Sequence, residues 1–177
     1  MVQYRRARVA GATYFFTVAL EDRRASLLTE HVELLRAAFR SVHAARPFDL
    51  DAIAVMPEHL HAIWVLPEGD ADYATRWQLI KTGFTRALRE TGVPLPSRSN
   101  GTPAVWQRRY WEHLIRDEDD WQRHRDYIFY NPVKHGQVSR VADWPHSSFH
   151  RMVRRGELPS DWGGDAAASA SGHFGEP

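Results

Sequence analysis

The chain has 177 residues, 43% of them hydrophobic, which suits one domain with a normal core. It has no cysteine, which excludes disulfides and thiolate metal sites, and its formal net charge of +1 gives no bulk signal of a nucleic-acid partner. Apolar runs fall far short of a bilayer span, and Met1-Val2-Gln3-Tyr4-Arg5-Arg6 carries no apolar signal core, so the cytoplasm is the expected location.

In chain order, residues 14–20 are aromatic and β-branched and read as a strand. Residues 28–45 place Val32, Leu35, Phe39 and Val42 at helical spacing, and Pro47 closes that helix. Residues 48–56 and 59–66 read as two strands joined at Pro57-Glu58. A second helix is expected over 73–90, with Trp77, Ile80, Phe84 and Leu88 on one face. Residues 91–103 are rich in Pro, Ser, Gly and Asn and read as a loop. Residues 104–115, with Trp106, Tyr110 and Trp111, read as a fourth strand. Asp117 is a candidate N-cap for a third helix, which is expected to end near Asn131 because Pro132 disfavours helical geometry in the residue before it. The β-α-β-β-α-β order followed by a helix is an α+β, ferredoxin-like (RRM-like) arrangement, with helices on one face of an antiparallel sheet.

The chemistry concentrates in two pairs. His59 and His61 lie two apart on an apparent strand, so both imidazoles share a face within reach of one metal ion. Tyr127 and Asn131 lie four apart on the last helix and share a face there. Two imidazoles and a carboxamide carry no negative charge. They suit Mg²⁺ or Mn²⁺ completed by a substrate phosphate, in preference to Zn²⁺. Tyr127 is then a candidate nucleophile for phosphoryl transfer. Tyr130 is the competitor, but it sits about 100° around the helix from Asn131, against about 40° for Tyr127. No residue identifies itself as the general base. For His113, His124, His135 and His146 a structural or solvent-exposed role is favoured over ligation, and Trp106, Tyr110 and Trp111 read as core in preference to base-stacking platforms. Lysine occurs only at 81 and 134, so nearly all positive charge is arginine, a residue suited to phosphate forks, although a GC-rich genome produces the same bias.

Four ordered segments resemble the REP-associated tyrosine transposases, a branch of the single-tyrosine HUH transposases. They are Met56-Pro57-Glu58-His59-Leu60-His61-Ala62-Ile63-Trp64, the run from Trp106 to Asp117, Tyr127-Ile128-Phe129-Tyr130-Asn131-Pro132-Val133-Lys134-His135-Gly136, and Trp144-Pro145-His146-Ser147-Ser148-Phe149. In the last, His146 stands where the family motif has Trp. The resemblance runs from about Tyr4 to about Arg151, within a single transposase domain expected over 1–162, and the Gly-, Ala- and Ser-rich composition after Trp162 reads as a disordered tail over 163–177. The resemblance implies that Tyr127 attacks a DNA phosphate to give a 5′-phosphotyrosine and a free 3′-hydroxyl, with His59, His61 and Asn131 holding the metal. The implied substrate is single-stranded DNA beside a REP hairpin, and the implied enzyme is a monomer, with a dimer left open. Arg5, Arg6, Arg8, Arg108, Arg109 and Lys134 are the candidate DNA contacts. Two other readings of the same residues are a non-catalytic hairpin-binding module, which tolerates loss of Tyr127, and a metal-dependent hydrolase, which uses water as nucleophile.

Overall fold

The structure, a computed structural model, describes residues 8–163. Its element order is β1 (Thr13–Ala19), α1 (Leu27–Glu30), α2 (Val32–Ala45), β2 (Asp49–Val55), β3 (His59–Val65), α3 (Tyr73–Glu90), β4 (Trp111–Leu114), α4 (Glu118–Lys134), a 3-10 turn (Val141–Asp143) and α5 (Phe149–Arg154). The four strands form one antiparallel sheet in the order β2-β3-β1-β4. This is the ferredoxin-like plan. Arg5, Arg6 and the tail from residue 164 lie outside the described residues.

Alternation along the strands sorts side chains between two cores. Tyr14, Phe16 and Val18 of β1 and Leu60, Ala62 and Trp64 of β3 join the core that α2 and α3 complete. There Trp64 stacks on Trp77 at 4.2 Å and on Phe48 at 4.2 Å. Phe15, Ile63, Ala52 and Ala54 face the opposite way and pack with Tyr127, Ile128 and Phe129 of α4. The last long helix therefore covers the sheet face that α2 and α3 leave open, a placement that hydrophobic periodicity alone does not determine.

Three expected boundaries shift. The helix expected over 28–45 is broken at His31, whose ψ of 36° is not helical. The break lets Leu28 bury while its N–H bonds the Pro57 carbonyl at 3.1 Å. The strand expected over 104–115 is regular only over Trp111–Leu114. Upstream, Trp106 makes a single bridge to Leu20, and its indole turns under α3 to donate to the Lys81 carbonyl at 3.2 Å. The aromatic run thus reflects two separate packings. Finally, α4 runs through Pro132 to Lys134. Proline there forgoes only the N–H that would reach Ile128, while the His135 N–H still closes on the Asn131 carbonyl at 3.0 Å. Burial of Asn131 and Pro132 overrides the local preference.

The Trp144–Ser148 segment seals the outer edge of β2. Trp144 Nε1 donates to the Val55 carbonyl at 3.0 Å, and the Val55 N–H donates to the His146 carbonyl at 2.9 Å. The Ile53 N–H donates to Ser148 Oγ at 2.9 Å. An otherwise open strand edge is covered in this way.

Candidate active site

Two elements build the site. In β3, His59 and His61 project toward α4, and both are fully buried. Their rings meet edge to face with centroids 4.8 Å apart. In α4, one helical stripe carries Asp120, His124, Tyr127 and Asn131, and all four are buried against the sheet. The helix starts where it does because Asp117 caps it, accepting from the Asp120 N–H at 2.7 Å, with Glu118, Asp119 and Asp120 in the positively polarised first turn.

The stripe delivers Asn131 to His59, with Asn131 Oδ1 3.2 Å from His59 Nε2. It also sets the Tyr127 ring edge-on to His61, with centroids 5.1 Å apart. The four residues singled out by spacing are therefore brought together from positions some 70 residues apart. Tyr130 instead lines a cavity with Val133, Val141 and Trp162.

Two residues that motif reading missed orient the imidazoles. Glu58 Oε1 lies 2.9 Å from His59 Nδ1. Thr17 Oγ1 lies 2.9 Å from His61 Nδ1. The two oxygens fix the orientation of the rings, and with the His61 Nδ1 donating to Thr17 its Nε2 presents a lone pair. His61 Nε2 is buried and has no hydrogen-bond partner among the described residues. Burial above all, then the charges of His59, His135, Lys134 and Arg23, push the His61 imidazole well below its ordinary pKa. The ring is thereby kept neutral, the form in which it binds metal. Burial works against the Glu58 carboxylate, but the His59 hydrogen bond and the charges of His59 and Arg23, at 3.2 Å, outweigh it and hold the group below the usual range. These donors fit a divalent cation: two oriented imidazole nitrogens, one of them orphaned, with a carboxamide oxygen alongside.

Among the remaining candidates, Lys134 Nζ sits 5.0 Å from the centre of the Tyr127 ring. The His135 ring lies 5.3 Å from that of His59. Arg8, Arg108 and Arg109 are exposed. Trp106 is core, Tyr110 packs on Phe16 and Trp77, and Trp111 stacks flat on His113 at 5.7 Å. His146 lines an apolar groove with Arg36 and Phe39.

A second cluster, His113, Asp120 and His124, has its ligand atoms within 4.8 Å of one another. It is separate from the His59–His61 pair, with Phe15 between them, 4.8 Å from His124 and 5.6 Å from His61. Asp120 is already occupied. It accepts from His113 Nε2 at 2.8 Å, the Arg116 N–H at 3.1 Å and Arg123 at 3.2 Å. We read it as the clamp that docks α4 on β4.

Comparison with known proteins places this geometry in a family. A REP-associated tyrosine transposase of Escherichia coli K12 is 48% identical over 172 residues, covering 97% of each chain. The chain belongs to the REP-associated tyrosine transposase family. A Haemophilus influenzae protein carrying the same family description is 47% identical over 167 residues, covering 93% of this chain and 95% of its own. A solved structure of a REP-associated tyrosine transposase bound to a REP hairpin superposes with a TM-score of 0.87 at 47% identity, covering 100% of this chain and 98% of that one. No family model matches the chain. As a REP-associated tyrosine transposase this protein is an enzyme of the transposase class, and its α+β fold is that of its solved relative.

Proposed function

We propose that this transposase nicks and rejoins single-stranded DNA beside REP-type hairpins through a covalent bond to Tyr127. The observation that carries this reading is the orphaned, buried Nε2 of His61 beside the His59–Asn131 contact and the Tyr127 ring. A buried nitrogen lone pair left unpaired is costly unless a ligand completes it. The solved relative's REP hairpin supports the choice of DNA.

His59, His61 and Asn131 would hold a Mg²⁺ or Mn²⁺ ion, which when bound polarises the scissile phosphate and offsets its charge. Glu58 and Thr17 hold the two imidazoles oriented toward it. The Tyr127 oxygen attacks phosphorus and the bond to the 3′ oxygen breaks. A 5′-phosphotyrosine and a 3′-hydroxyl result. Lys134 Nζ, 5.0 Å from the centre of the Tyr127 ring, places a positive charge beside the nucleophile. Because Tyr127 and the two histidines lie in one chain, a monomer suffices for the chemistry. No helix among the described residues is long and apolar enough to cross a membrane, and the cytoplasm, where genomic DNA is reached, is the proposed place of action.

The test is cleavage of an end-labelled single-stranded oligonucleotide carrying a palindromic repeat. With Mn²⁺ or Mg²⁺ a nick is expected. With chelator, or with His61→Ala, the rate is expected to fall at least 100-fold. Undiminished cleavage in chelator would remove the metal from this account. Tight binding without any nick would favour the binding module.

A further inference from the structure

The sheet face opposite the active site carries a groove of about 500 Å³ between α3 and the 98–108 segment. Its lining includes Lys81, Arg86, Arg89, Arg98 and Arg108, with Trp106 on the floor and Thr82 and Thr85 beside it, and no acidic residue. In a chain whose net charge is only +1, such a concentration of cations is a local construction. Two of them are structural: Lys81 donates to the Gln107 carbonyl at 2.7 Å, and Arg98 holds the Pro103 and Trp106 carbonyls at 3.1 and 2.9 Å. Three remain for a ligand. Arg89 and Arg108 are exposed and make no ion pair among the described residues, while Arg86 reaches only Glu90, at 3.6 Å. Arg86 and Arg89, three residues apart on α3, stand about 4.5 Å apart along the helix axis.

The groove also leads to the active site. Trp106 bridges Leu20, the Gln107 N–H bonds the Ala19 carbonyl at 3.0 Å, and Ala19 is the register partner of His59. The backbone of Gln107 is thus two strand spacings, about 10 Å, from that of His59. Arg108 and Arg109 sit on the connecting edge.

We propose that this groove binds the phosphodiester backbone of the same DNA that Tyr127 cuts, outside the scissile phosphate. The inference rests on the function proposed above for its choice of polymer. Arginines in a groove whose lining holds no acidic residue select phosphates, although Arg98 is also paired with Glu21 and Arg86 with Glu90. The buried Trp106 leaves no ring face for base stacking, so the contact is insensitive to sequence.

The experiment is an anisotropy titration over a salt series with three probes: a REP-type hairpin without flank, the single-stranded flank alone, and the two joined. The Arg86→Gln/Arg89→Gln variant is compared with wild type and with Arg154→Gln/Arg155→Gln, a charge-matched change in exposed residues at the C-terminal end of α5 on the other face. For the joined probe at about 0.1 M salt the groove variant is expected to bind about tenfold more weakly, with a log–log salt slope shallower by about two units. The α5 variant is expected to bind within twofold of wild type. A loss seen with the hairpin alone assigns the groove to the stem, and a loss seen only with flank present assigns it to the single strand. Unchanged affinity and slope, or an equal loss in the α5 variant, overturns the proposal. Thermal midpoints confirm that both variants are folded. Covalent adduct formation by wild type is scored separately, so failure of the tyrosine chemistry is not confused with failure of the groove.

Discussion

Glu58 and Thr17 show what a residue can contribute without touching substrate. Each places an oxygen 2.9 Å from an Nδ1 and so fixes which way that imidazole ring turns its Nε2. Replacing Glu58 by Gln keeps the shape but removes the charge that favours a donating Nδ1–H. Divalent-ion affinity is expected to fall about 10- to 100-fold, measured by Mn²⁺ titration of the unreacted protein. An unchanged affinity would mean that Glu58 serves only its contact with Arg23. At this scale the sequence was informative unevenly. His59 and His61 were legible as a same-face pair because two-residue spacing in a strand has one geometric meaning. Tyr127 and Asn131 were legible because four-residue spacing in a helix also has one. Thr17 was not, because its pairing with His61 depends on the β1–β3 register across 44 residues. Glu58 was visible only as a neighbour, and adjacency does not say where a carboxylate points.

At the scale of elements, α4 carries the argument, and its docking depends on ionisation. Burial resists the charge of Asp120, yet the His113 hydrogen bond, the Arg116 N–H and the charges of His113 and His124 overcome it and hold the carboxyl far below its ordinary value. Burial pushes His124 below the ordinary imidazole value against the opposing pull of Asp120. The signs follow from proton counts. Where the folded pKa is depressed, the unfolded chain binds more protons, so stability falls as pH falls. The His124 contribution is expected to decline below about pH 6.5, and that of Asp120 below about pH 4. Urea midpoints across pH 3–8 should show both limbs, with the lower one shallower in Asp120→Asn and the upper one shallower in His124→Gln. Midpoints flat between pH 7 and 5 would contradict the reading of His124. The elements themselves were mostly legible, α3 over its expected span, since its apolar spacing agrees with a cap at Asp72 that only the structure shows. What misled was local rules applied where tertiary packing dominates: Pro132 does not stop a helix whose last turn is buried, and Trp106 is not strand because its indole has a better partner under α3.

At the scale of the molecule, one four-stranded sheet separates two tasks. Its α2–α3 face holds the larger aromatic core and, at its rim, the basic groove. Its α4 face holds the histidines, the tyrosine and the carboxamide. Element order alone foretold the sheet, but which face α4 covers was not readable from it. That choice puts Tyr127 against His61 and sends Tyr130 to a different cavity. The most direct measurement is therefore to trap the covalent protein–DNA adduct on a single-stranded repeat substrate, digest it, and locate the modified tyrosine by mass spectrometry, with Tyr127→Phe and Tyr130→Phe alongside. Modification is expected at Tyr127 alone, lost in Tyr127→Phe and retained in Tyr130→Phe. Modification at Tyr130, or metal-dependent cleavage that survives Tyr127→Phe without any adduct, would contradict it.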